Sequence, residues 1–69
     1  MPTVLLNGER ITLPDGATAA DAVRAAGAPS ESRGVAVAVD GEVLPRGEWQ
    51  ATALTEDGQV EVLRAVQGG

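Results

Sequence analysis

The residues best suited to chemistry stand at the end of the sequence, where Gln67 is followed by Gly68-Gly69. With nine glycines among 69 residues, chance would place a pair there in about 2% of arrangements. Neither glycine carries a Cβ, so an extended tail can pass through a slot too narrow for any other residue and leave its terminal carboxylate unhindered. That carboxylate, with a pKa of about 3.3–3.7, is ionised at neutral pH and is a poor electrophile. Adenylation by ATP would turn the Gly69 carboxylate into a mixed anhydride with AMP as leaving group. A sulfur donor could then displace AMP and leave a thiocarboxylate. Gly69 is the candidate site of adenylation and thiocarboxylate formation, and Gly68 gives access to it. The competing reading of the same residues is a plain unstructured terminus.

Nothing else in the sequence can perform that chemistry. His, Cys, Lys and Tyr are all absent, and the carboxylates show no paired spacing beyond the adjacent Glu56-Asp57. The chain is therefore expected to be a substrate and carrier rather than an enzyme, with no metal and no cofactor, and with catalysis supplied in trans. Ten acids against five arginines give a net charge of −5 and a pI near 4.3, which argues against nucleic acid or an anionic membrane as partner. One Trp offers no stacking platform for bases. The apolar runs are too short to span a membrane and no export signal is apparent, so a cytoplasmic location is expected.

Sixty-nine residues fit one small core that must hold without disulfides. Thr3-Val4-Leu5-Leu6 and Arg10-Ile11-Thr12-Leu13 flank Asn7-Gly8, a dipeptide suited to a two-residue hairpin turn. Thr18 and Asp21 have the spacing of a short capping box before a helix over 19–26, whose apolar stripe is Ala19, Ala22, Val23 and Ala26. Gly27 should stop it and Pro29 prevents continuation. Val35-Ala36-Val37-Ala38-Val39 is the strongest strand signal, and Asp40-Gly41 turns it into Glu42-Val43-Leu44, which Pro45 ends. Residues 46–53 read as a loop or single turn, Glu56-Asp57-Gly58 as another turn, and 59–65 as the last strand. The order is ββαβββ, with residues 1–66 as one domain and 67–69 as a flexible tail.

Strand parity marks two outward leucines. If Val60 and Val62 face the core, Leu63 stands with Glu61 on the other face, and if Val4 and Leu6 point inward, Leu5 points outward. They read either as ordinary lone exposed leucines or as an apolar docking patch. Leu5, Leu63, Val66 beside the tail, and Arg46 are the candidate partner-binding residues. For Trp49 the favoured reading is a plug for one edge of the core, and for Arg46 a solvated loop charge.

Taken together, these residues resemble the ThiS family, the sulfur carriers of thiamine biosynthesis, over essentially the whole chain. The resemblance is carried by Asn7-Gly8, by 35–43 with Pro45-Arg46 and Trp49, by Leu54 before Asp57-Gly58, and by Val60-Glu61-Val62 leading to Ala65-Val66 and Gly68-Gly69. Asp40 stands where Asn is usual, Gln59 where an acid is usual, and Gln67 where a small residue is common. The resemblance implies an α+β, ubiquitin-like β-grasp fold: a mixed sheet wrapped around one helix, with first and last strands adjacent and parallel, which would set Leu5 beside Leu63. It implies as partners a ThiF-type adenylating enzyme, thiazole synthase (ThiG) and a sulfur donor protein, the carrier being a monomer when free. A molybdopterin-synthase small subunit, or a carrier for another sulfur-containing metabolite, is the alternative of the same class. A ubiquitin-like interaction module without acyl chemistry is the alternative of another class.

Overall fold

The computed structural model describes residues 1–27 and 34–64. Its frame is set by two tight turns. Asn7 and Gly8 both hold positive φ (52° and 82°), as do Asp40 and Gly41 (51° and 85°), which is the backbone of a hairpin turn whose twist matches its strands. The first turn joins β1 (Thr3–Leu6) to β2 (Glu9–Thr12), and the second joins β3 (Val35–Val39) to β4 (Glu42–Leu44). The last strand, β5 (Gln59–Arg64), enters between the two hairpins, parallel to β1 and antiparallel to β3. The sheet order is β2-β1-β5-β3-β4, so the strand that leads to the tail is the central one.

Among the described residues one α-helix, α1 (Ala19–Ala25), covers one face of the sheet. Asp21 starts it as the Thr18/Asp21 spacing predicts: its carboxylate accepts the Thr18 N–H at 2.8 Å and pairs with Arg24 one turn on. The Thr18 hydrogen bond holds the Asp21 carboxyl below its ordinary value, Arg24 adds to the shift, and partial burial opposes it. Ala19, Ala22 and Val23 are buried as their spacing predicts, whereas Ala26 is exposed. The reason is that the helix has already ended: Ala26 is its cap and Gly27, at φ 82°, turns the chain away.

Val4, Leu6, Val37, Val60 and Val62 from the sheet meet α1 together with Leu13, Ala17, Trp49 and Leu54. Residues 49–54 strap this core: Ala19 N–H bonds Thr52 O, Leu54 N–H bonds Ala17 O, and Thr18 bridges Ala53. A 3-10 turn over Arg46–Glu48 delivers Trp49 inward, where it is 5% exposed and donates Nε1–H to the Leu44 carbonyl at 3.2 Å. Trp49 is thus the core plug that its sequence position suggests. The domain boundary expected at residue 66 and the 67–69 tail lie outside the described residues.

Candidate functional site

The acyl terminus read from the sequence, Gly69 with Gly68, lies outside the described residues, and so does Val66. What the structure places is β5, the strand that precedes these residues and ends at Arg64. Strand β5 is held from both flanks: on one side Val60 and Val62 pair with Val39 and Val37, and Arg64 pairs with Val35. On the other side Leu5 N–H bonds Gly58 O and Asn7 N–H bonds Val60 O, both at 2.9 Å. The alternation of Val60 and Val62 sets which face of β5 is buried under α1, and the pairing on both flanks makes it the central strand.

The outward residues of the sheet form its second feature. Leu63 is 63% exposed and stands opposite Ala36, while Val43 is 69% exposed and stands opposite Ala38. These four residues, with Glu61 between them, make an uncovered and largely apolar stretch across β5, β3 and β4. Val43 was not among the sequence candidates. The signal that finds it is parity, since Leu44 is half-buried against the core and its neighbour must face the other way.

Leu5 needs a correction. The parallel pairing of β1 with β5 is present, but its register sets Leu5 against Gln59, and Leu63 against Ala36. Leu63 lies four residue steps beyond Gln59 along β5, a distance of about 13 Å. The physical reason is that the chain turns at Asn7-Gly8, so β1 is too short to reach Leu63. Leu5 is half-buried rather than exposed and lines a shallow cleft of about 200 Å³ with Arg10 and Asp57.

Arg46 is exposed, and its guanidinium carbon lies 5.7 Å from the Trp49 ring centroid, so it is a stacked cation rather than a freely solvated loop charge. It shares a cleft of about 260 Å³ with Ala20 and Arg24 on the helix side of the molecule, away from Leu63. Both clefts are smaller than a typical small-molecule site of about 300–1,000 Å³. Among the described residues there is no cluster of three or more acids able to hold a metal, and no helix is long and apolar enough to cross a membrane. The arrangement can therefore present a strand end and an apolar sheet face.

The comparisons with known proteins bear on the whole chain. No curated protein matches it. The crystal structure of a thiamine biosynthesis protein (ThiS) from Geobacter metallireducens is similar, with a TM-score of 0.70 and 30% sequence identity over 97% of this chain and 99% of that one. The fold is accordingly the ubiquitin-like β-grasp. The ThiS family model matches residues 4–69, so the central strand, both hairpins and the terminal diglycine fall within one family pattern, and the chain belongs to the ThiS family.

Proposed function

We infer that this protein is a sulfur carrier of thiamine biosynthesis whose Gly69 carboxylate is the working group. The observation that carries the reading is the family match running through Gly69 itself, in a chain whose central strand ends at Arg64, five positions earlier. Attack of the carboxylate on the α-phosphorus of ATP gives the acyl-adenylate and releases pyrophosphate. A sulfide equivalent from a sulfur donor protein then displaces AMP, leaving a thiocarboxylate whose sulfur passes to the thiazole precursor. The catalytic groups belong to the partners, a ThiF-type adenylating enzyme and a thiazole synthase of the ThiG type. This chain supplies the bare acyl end and the surface that docks it, without enzymatic activity of its own, in the cytoplasm.

The docking surface in this reading is the outer sheet face, with Leu63 and Val43 as its anchors. Arg46, on the helix side, belongs to a separate contact or to none. The test is direct: incubate the protein with ATP, a sulfur donor and the adenylating enzyme of its own organism, then measure intact mass. Replacement of one oxygen by sulfur is the expected result. An unchanged mass, under conditions that load a control carrier, refutes the reading.

A further inference from the structure

The two hairpin turns look interchangeable in sequence, Asn-Gly and Asp-Gly, yet they hold β5 in different ways. At the second turn Asp40 donates its main-chain N–H to Gln59 O at 2.7 Å, and its Oδ1 accepts the Gln59 N–H at 2.9 Å. The side chain there acts as an acceptor, which a carboxylate does well. At the first turn Asn7 donates its main-chain N–H to Val60 O, and its side chain then reaches past the end of β1 to Val62. Oδ1 accepts the Val62 N–H at 2.8 Å, and Nδ2 donates to the Val62 carbonyl at 3.2 Å. The amide takes the place of the β1 residue that the turn has removed, and so extends the parallel ladder by one step along β5.

Few residues can do this. The position holds φ 52°, which favours Gly, Asn and Asp. Bonding both polar groups of Val62 needs a donor and an acceptor on one short side chain. Gly has neither, and an ionised Asp lacks the donor. Asn alone among the three meets both demands, and it meets them at a residue seven positions before Gly69.

We propose that Asn7 is a positioning residue for acyl transfer at Gly69: its amide fixes Val62 on the β1 flank, so that the strand preceding Gly69 is gripped on both sides at Val62. The proposal rests on the carrier reading. Without the amide, β5 beyond Val60 is held by β3 alone and its end frays more readily. A strand end that opens part of the time holds the residues before Gly69 in place for less of each encounter, so docking of Gly69 weakens about twofold.

The experiment compares the unmodified chain with Asn7→Asp, Asn7→Gly and, as matched control, Asp40→Asn, whose amide oxygen still accepts from Gln59. Pyrophosphate release by the adenylating enzyme gives KM and kcat for each carrier, with circular dichroism confirming that each is folded. Asn7→Asp and Asn7→Gly are expected to raise KM about twofold or more at unchanged kcat, and Asp40→Asn to change neither. Amide exchange at Val62 should quicken about tenfold relative to Val37 in Asn7→Gly, which removes the acceptor of the Val62 N–H, and less in Asn7→Asp, which keeps an acceptor and loses only the donor to the Val62 carbonyl. If Val62 exchange and KM are the same in Asn7→Gly as in the unmodified chain, the positioning role is overturned while the carrier reading stands. If the unmodified chain itself is never adenylated, the carrier reading falls and the positioning role falls with it.

Discussion

The two faces of the sheet are made from the same strands and much the same residue types, and they differ in what covers them. On the inner face Val4, Val37 and Val60 are essentially sealed from water by α1 and the strap over residues 49–54. On the outer face Leu63 and Val43 remain more than 60% exposed, although each is as apolar as its inward neighbours. Burial here is decided by strand parity and by a single seven-residue helix, not by hydrophobicity. The lesson is that folding uses one face completely, which leaves the other free to be shaped by partners.

Breaking the inner face should have the largest effect. Val37→Asp puts an unpaired carboxylate at a fully buried site, at a cost of several kcal/mol. A domain of this size has about 3–5 kcal/mol in hand, so far-UV circular dichroism at 25 °C should show loss of the fold. Val37→Ala should cost about 2 kcal/mol and leave a folded protein that melts earlier.

On the outer face the same chemical change should separate stability from docking. Leu63→Asp is expected to alter unfolding free energy by less than about 0.5 kcal/mol in urea titration, yet to raise KM for the adenylating enzyme about tenfold, the size of a modest interface anchor. Val43→Asp should follow with a smaller rise, about threefold, because it sits on the edge strand farther from β5. Equal and large losses of stability in both would erase the distinction between the faces.

The smallest expected effect lies at the covering helix itself. The Asp21 carboxyl is held below the ordinary aspartate value of 3.8 by the Thr18 N–H, so its stabilisation is fully present above that value and is lost as pH falls through the lower folded-state pKa. Asp21→Ala should cost about 0.5 kcal/mol at pH 7, and the difference from the unmodified chain should vanish as the pH is lowered well below 3.8. A difference that persists at the acid end would assign Asp21 a role other than its ionised cap.

Much of this frame was legible in the sequence. Asn7-Gly8 and Asp40-Gly41 announce their turns because few dipeptides tolerate two positive φ angles, and Val60-Glu61-Val62-Leu63 announces its inner and outer faces by alternation. The register between β1 and β5 was not legible, since parity says which face a residue takes but not how far one strand slides along another. Leu5 was therefore placed beside Leu63 when it stands opposite Gln59. The second duty of Asn7 was equally hidden: its turn is a local property, while its bonds to Val62 span 55 positions of sequence. Gly69 was read from residue type and position alone, and its role is proposed on the family match.

The central claim is that the terminal diglycine, and no side chain of the folded domain, receives the sulfur. Top-down fragmentation of the protein after loading tests it most directly. The account predicts that the sulfur-for-oxygen mass difference resides in the fragment holding Gly69, and that a chain ending at Gln67 remains folded but unloaded. Sulfur found elsewhere in the chain, or full loading and sulfur delivery by the shortened protein, would contradict it.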